Sequence, residues 1–546
     1  MSEMQSSVAV CMMKKSCENS GKLFTGMDSG VKLEISMSPN GSSLSSQADS
    51  QHLKISRPKL RRARKPRVLL VTPELGESSL LSRHGRVAPC AKAGGLADVS
   101  ALLLDTLSDC GLDVHVALPH FRTILQTNGK EVSRRLHLCQ DREFFYRRSV
   151  YDGNPESNLR AALAFQRDVI HYVMPKVRPD MVHCHDWMTG LVPAAARAMG
   201  IPSLFTVHNL HDELTSLSHV EDRGVDAANF WRHLYYGYYP SSYDQTRGNN
   251  AISLLGSGIL AADHMNTVSD SFLHELSVGG HGATGPVVEA VRGKIAAGRA
   301  HGILNGVSPS VSPAHDSRIA ESYDEASHVA GKARNKLALQ RAVGLEEDEE
   351  APILFWPSRL DPTQKGCQLL AEILYRLVSD YWALGLQVVF VADGPFQPHF
   401  RHIAEFHGLQ QRIAVKGFNE SLSRLGYAGS DYTLMPSAYE PCGLSQMIAL
   451  RYGSLPIVHA TGGLRDTIQH ADPVHRTGNG FVFETHDARG LRWAIDQAMR
   501  FHIRPASERT AHVRQVMSDA KDAFAPASMT DRYLGIYRNL LELKVS

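Results

Sequence analysis

Two cations and a glutamate frame the chemistry open to this chain. Arg359 and Lys365 stand six residues apart in Ser358-Arg359-Leu360-Asp361-Pro362-Thr363-Gln364-Lys365-Gly366. A planar guanidinium fork and a mobile ammonium on one loop close on a diphosphate from two sides. Glu440 lies in Pro436-Ser437-Ala438-Tyr439-Glu440-Pro441-Cys442-Gly443-Leu444-Ser445-Gln446, a turn running into a helical pattern. A helix start offers unpaired backbone N–H groups to an anion. A carboxylate beside it therefore serves the uncharged part of a ligand, and the hydroxyls of a nucleotide-linked sugar fit. In Lys92-Ala93-Gly94-Gly95 the glycines let the backbone approach a diphosphate closely, and the lysine adds a positive charge.

Short apolar runs must position these groups. Tyr432 to Met435 precedes the Glu440 turn and Leu455 to Val458 follows it, with a helical pattern between them. Arg67-Val68-Leu69-Leu70-Val71-Thr72 precedes the Lys92 loop, and a helical pattern from Val99 to Ser108 follows it. Further runs at Val114 to Pro119, Met181 to Cys184, Ile201 to Val207, Pro352 to Trp356 and Leu386 to Val391 repeat the alternation. Strands alternating with helices predict an α/β fold with parallel sheets. Open sheets of that kind bind ligands at the carboxyl ends of their strands. At 546 residues the chain needs two cores.

Composition narrows the function classes. A formal charge of +2 argues against general affinity for nucleic acid or membranes. Eight cysteines without paired spacing suit a reduced compartment, and a cytoplasmic location is expected. The sequence shows no bilayer-spanning run and no signal-peptide pattern. Residues 1–66 are Ser-rich, with eight Lys or Arg between Gln51 and Arg67 and no acid. Such a segment reads as a disordered tail, either a solvated leader or a binder of an acidic partner. His183 and His185 alternate along a strand and invite a metal, but no third ligand follows from spacing. No Asp-x-Asp pair occurs in the chain.

The Glu440 block, continuing through Arg451-Tyr452-Gly453-Ser454-Leu455-Pro456 to Thr461-Gly462-Gly463-Leu464-Arg465-Asp466-Thr467, resembles the C-terminal signature of bacterial glycogen synthases and plant starch synthases. Lys92-Ala93-Gly94-Gly95-Leu96-Ala97-Asp98, His185-Asp186-Trp187, Thr206-Val207-His208-Asn209 and the Arg359–Lys365 loop follow the same family in order, and the likeness covers nearly all of residues 67–545. It implies a GT-B fold: two Rossmann-like domains facing each other across a deep cleft, with a last helix crossing back to the first. The expected divisions are a tail (1–66), an N-terminal domain (67–306), a linker and helix (307–350), a nucleotide-sugar domain (351–525) and the returning helix (526–546).

The resemblance implies a retaining glucosyltransferase that passes glucose from ADP-glucose or UDP-glucose to the non-reducing end of an α-1,4-glucan such as glycogen. ADP-glucose is preferred because the likeness is to the bacterial and plant branch. His208, Glu440, Arg359, Lys365 and Asp186 are then the catalytic candidates. Lys92, Gly94, Gly95 and Asp98 bind substrate from the first domain, together with Asn209. Phe418, Cys442, Gly443, Leu444, Thr461, Gly462 and Gly463 bind it from the second. Phe418 stands where the family has an aromatic that stacks on the base, with core packing as the other reading. No metal and no cofactor are implied, since cations and backbone N–H groups carry the leaving diphosphate.

Departures from the pattern keep alternatives open. Seventeen residues separate Glu74 from Lys92, a longer connection than the family's, which contacts the acceptor or is a surface insertion. His211-Asp212-Glu213 follows His-Asn-Leu where an aromatic and a glycine are usual, and Gly256 replaces a usual lysine. A same-fold enzyme acting on a small acceptor and a non-catalytic glucan-binding relic are the competing readings. The aromatic-rich stretch 222–250 reads as a glucan surface, a core or a subunit contact.

Overall fold

The computed structural model describes residues 64–82, 90–125 and 133–542. Nearly all of the expected tail, and residues 83–89 of the long loop 75–91, lie outside the described residues.

The first half is built on β1 (Arg67–Val71), β2 (Asp113–Pro119), β3 (Leu136–Cys139), β4 (Met181–His185) and β5 (Ser203–Val207). Two-residue strands follow, β6 (Leu214–Thr215), β7 (Tyr235–Tyr236) and β8 (Ile252–Ser253), and then β9 (His264–Thr267) and β10 (Ala300–Gly302). The second half contributes β11 (Ile353–Trp356), β12 (Gln387–Val391), β13 (Ile413–Lys416), β14 (Tyr432–Met435), β15 (Leu455–His459) and β16 (Phe481–Phe483). Seven strands form one sheet, β10-β9-β5-β4-β1-β2-β3, and six form another, β13-β12-β11-β14-β15-β16. The strand pairings in both sheets are parallel. Their central strands are continuous apolar runs because helices cover both faces: Val68 to Val71 and Ile353 to Trp356 are fully buried.

Strand order reverses between β1 and β4 in the first sheet and between β11 and β14 in the second. These are the switch points at which doubly wound sheets open a crevice for a ligand. The Lys92 loop follows β1, Asp186 follows β4, the Arg359–Lys365 loop follows β11, and Glu440 follows β14. These four loops thus issue from strands that flank a switch point, whereas His208 follows β5, Phe418 follows β13 and Thr461 follows β15.

Helices set the rest of the frame. α1 (Gly95–Asp109) starts at the second glycine of the Lys92 loop, and α2 (Leu254–Ala261) and α3 (Asp270–Ser277) flank β9. α4 (His328–Val343) docks on the second sheet, where the buried Lys332 ammonium donates to the carbonyls of Ala428, Ser430 and Tyr452 at 2.8 to 3.0 Å. α5 (Ser445–Arg451) and α6 (Gly462–Thr467) follow β14 and β15. The last helix, α7 (Pro526–Glu542), returns to the first half. There Tyr537 Oη lies 2.7 Å from His183 Nδ1, and Asn266 Nδ2 donates to Tyr533 Oη at 3.1 Å. The two chain crossings are neighbours, since the Val307 N–H donates to the Phe524 carbonyl at 3.0 Å.

The aromatic stretch divides. Phe230, Trp231 and Tyr236 are buried around the small antiparallel sheet β6-β8-β7, whereas Tyr239 is 92% exposed. At Gly256 a Cβ would lie 2.6 Å from Ser253 Oγ, so a larger side chain there requires a shift. No helix among the described residues is long and apolar enough to cross a membrane.

Candidate active site

The loops after β11 and β14 zip together. The Ala438 N–H donates to the Gln364 carbonyl at 2.8 Å, which sets the two turns side by side. Lys365 Nζ then meets Glu440 Oε2 at 2.6 Å, and Ser437 Oγ donates to the same oxygen at 3.0 Å. Both charged side chains are nearly buried, at 11% and 10% exposed. Sequence reasoning gave Lys365 to the phosphate and Glu440 to the sugar; the structure makes them one unit. Arg359 is exposed, and its charge bears on Tyr439, the residue before Glu440.

The 461–463 segment nests against this unit. A Cβ on Gly462 would lie 2.1 Å from the Glu440 carbonyl oxygen, and one on Gly463 would lie 2.1 Å from that of Cys442. Only glycine permits such an approach. The two glycines are expected to bind substrate, and their N–H groups have partners within the protein. Gly463 donates to the Glu440 carbonyl at 2.9 Å, and Gly462 donates to the Glu275 carboxylate at 2.8 Å. Both therefore buttress the Glu440 loop. Thr461 is 1% exposed and donates its hydroxyl to Glu275. Cys442 is buried, which pushes its thiol up to about 12 and leaves it a packing group. Gly443 adopts φ +72°, and Gln446 Nε2 ties off the carbonyls of Cys442 and Gly443.

The first half brings its glycine loop to the same place. A Cβ on Gly95 would lie 3.2 Å from Leu444 Cδ1, so the two halves meet there. Lys92 pairs with Asp98 at 2.9 Å and remains exposed. The Ala93 and Gly94 N–H groups donate to Glu74 Oε2 at 2.9 and 2.8 Å. Burial raises the Glu74 carboxyl, and those two N–H groups pull against it. Glu74 therefore shapes the loop, a role that sequence reasoning missed. Its place directly after β1, at a strand's carboxyl end, was the available signal.

Asp186 was expected to face the sugar, but it turns inward. It is 2% exposed at φ +58°, a conformation disfavoured for any residue with a Cβ. Its carboxylate accepts the His208 N–H at 2.6 Å and Asn209 Nδ2 at 3.0 Å, fixing the end of β5. Burial pushes this carboxyl up to about 7, with the Glu74 charge adding to the effect and the His208 N–H opposing it. His208 Nε2 lies 3.0 Å from His185 Nδ1. Burial pushes the His208 and His183 imidazoles down to about 3, so both are neutral at pH 7. Each His183 nitrogen already has a partner, Tyr537 or Thr206, which removes the metal reading for that residue. Among the described residues no group of three or more His, Cys, Asp or Glu is placed to hold a metal ion.

Phe418 is 53% exposed, which corrects the core-packing alternative; its N–H donates to Asp393 Oδ1. A separate cavity of about 440 Å³, lined by Trp382, Arg412, His502 and Arg509 among others, lies at the amino ends of β11, β12 and β13 and contains none of these groups.

Two facing doubly wound domains, with a lysine–glutamate pair at one switch point and a glycine loop from the other, define a GT-B glycosyltransferase. Comparisons with known proteins specify which kind. Residues 67–285 match the family model described as starch synthase catalytic domain, and residues 341–509 match glycosyl transferases group 1. A glycogen synthase of Geobacter sulfurreducens is 35% identical over 461 residues, spanning 76% of this chain and 89% of that protein. One from Syntrophotalea carbinolica is 31% identical over 510 residues, 85% and 99% of the two chains. The catalytic domain of starch synthase IV from Arabidopsis thaliana, bound to ADP and acarbose, superposes with a TM-score of 0.72 at 25% identity, over 88% of this chain and all of that one. The chain belongs to the glycogen and starch synthase family of glucosyltransferases.

Proposed function

We propose that this enzyme transfers glucose from ADP-glucose to the non-reducing end of an α-1,4-glucan, with retention at the anomeric carbon. The observation that carries this reading is the Lys365–Glu440 pair at 2.6 Å, on the turn that the Gly95 loop of the other half meets at Leu444. The leaving group is a diphosphate. Lys365, nearly buried and preorganised where its charge counts for most, and the exposed Arg359 supply its countercharge. Glu440 takes the sugar hydroxyls, and Lys365 thereby links the two ends of the donor. His208 is neutral and held by Asp186, so it serves through its backbone and a neutral imidazole rather than as a proton donor of ordinary pKa. Side-chain cations do the work that a divalent ion does in other glycosyltransferases, and this reading needs neither metal nor cofactor. ADP-glucose is favoured by the family, whose Arabidopsis starch synthase relative was solved with ADP.

Release of ADP or UDP by the purified protein, given each nucleotide-glucose with and without glycogen, tests the proposal. ADP release that requires the glucan is expected. Release that requires a small acceptor, or none with any donor, would overturn it.

A further inference from the structure

Helix α3 belongs to the N-terminal half, yet it grips the segment that carries Glu440. Its N-cap Ser269 donates Oγ–H to the Pro441 carbonyl at 2.6 Å. The Ser271 N–H donates to the Asp466 carboxylate at 3.0 Å, and its hydroxyl bonds the same group. At the other end Glu275 Oε1 accepts the Gly462 N–H at 2.8 Å and the Thr461 hydroxyl at 3.2 Å. His281 Nε2 stands 3.1 Å from the second carboxylate oxygen, with its ring against Tyr439 at 5.6 Å. Gly463, next in the chain, holds the Glu440 carbonyl through its N–H.

These bonds differ from the packing inside either half because they cross between the two. A carboxylate on one half fixes a backbone turn on the other, and that turn holds the residue assigned to the donor sugar. Removing the acceptor leaves the Gly462 N–H without its partner and the buried Thr461 hydroxyl with only His281 Nε2, 3.4 Å away, and stranding the N–H costs more than the bond itself. The loop would then shift, and small displacements of a positioning group cost large factors in rate.

We propose that Glu275 is a positioning residue for glucosyl transfer, holding the Glu440 loop in register from the opposite half of the molecule. The proposal rests on the assignment of Glu440 to the donor sugar made above. Glu275 touches no reacting atom; it acts through Gly462, Gly463 and the Glu440 backbone. Its place on the polar side of α3 gives no sequence signal, because its partners lie 186 and 187 residues away.

Three substitutions in the full chain test it. Glu275→Ala removes the acceptor. Glu275→Asp keeps the charge but withdraws it by one methylene. Glu275→Gln loses the charge and keeps a carbonyl oxygen at the right reach. The kcat for glucosyl transfer is expected to fall about 10- to 100-fold in the Ala and Asp variants, the scale of a hydrogen bond to a charged group. KM for the nucleotide-glucose should change less than about threefold, and Gln should recover most of kcat. Amide exchange at Gly463 reads the relay without turnover, and should quicken in Ala and Asp but not in Gln. If the Ala variant does not fold, the Asp and Gln pair decides. Full kcat in Glu275→Ala, or equal loss in Gln and Asp, would overturn the proposal. An inactive wild-type enzyme would instead sink the functional reading, while the exchange comparison would still stand.

Discussion

The two switch points handle ionisable groups in opposite ways. At the second sheet, Lys365 and Glu440 answer each other at 2.6 Å, so charge is kept near the ligand by pairing. At the first, His183, His185 and His208 are packed together, and burial pushes all three imidazoles below their ordinary range. One side offers charges that a diphosphate sugar can exploit. The other offers neutral imidazoles packed on one another, with His183 bonded to Thr206 and to Tyr537 of the returning helix α7. The contrast teaches that buried histidines can be held neutral by the frame, while two charges read separately from the sequence meet as one pair.

The comparison is broken most sharply at the charged side. Glu440→Ala is expected to lower kcat about 10³-fold and Lys365→Ala about 10²-fold, measured as glucan-dependent ADP release. Each single change also strands a nearly buried charge. The double variant should therefore be little worse than Glu440→Ala alone, and fully additive losses would show that the two do not act as a unit.

On the neutral side the expected effect is smaller. Asp186→Ala releases the His208 N–H and the Asn209 amide and should reduce kcat/KM about tenfold. Undiminished activity would make Asp186 a packing residue.

Acid stability sharpens the contrast further. His183 and His208 titrate near 3 when folded and near the usual 6.5 when unfolded, so their contribution is complete above pH 6.5 and is lost as pH falls. Asp186, raised to about 7 from 3.8, works in the opposite direction, since the folded chain binds the extra proton between those values. The melting midpoint should fall between pH 7 and pH 5, and Asp186→Asn should steepen that fall by removing the opposing group. A shallower fall in the variant would contradict the buried placement.

The smallest effect belongs to Phe418. Because it is half exposed, Phe418→Ala should leave the melting midpoint within about 1 °C while raising KM for the nucleotide-glucose severalfold. An unchanged KM would remove Phe418 from the donor site.

Much of this was legible in advance because parallel strands buried on both faces read as continuous apolar runs. Val68 to Val71, Ile353 to Trp356 and Tyr432 to Met435 therefore announce both the sheets and the loops after them. The closing helix was legible too, from the apolar pattern at Tyr533, Leu534, Ile536, Tyr537, Leu540 and Leu541. The 461–463 segment was recognised but its partners were not, because a glycine pair reads alike whether its N–H groups meet a phosphate or another loop. The split of the aromatic stretch into buried Trp231 and exposed Tyr239 was also out of reach, since periodicity is uninformative in two-residue strands.

By itself the sequence determined the two α/β domains, the order of the loops around the cleft and the residue types available for a diphosphate and a sugar. These follow from local pattern and from motifs held within a few residues. Only the tertiary structure decided which partners those residues have: Lys365 with Glu440, Asp186 with the His208 N–H, Glu74 with the glycine loop, and Glu275 with Gly462. Each pairing joins residues 19 to 187 apart in the chain, and such partners are set by the packing of whole sheets, which no local spacing records.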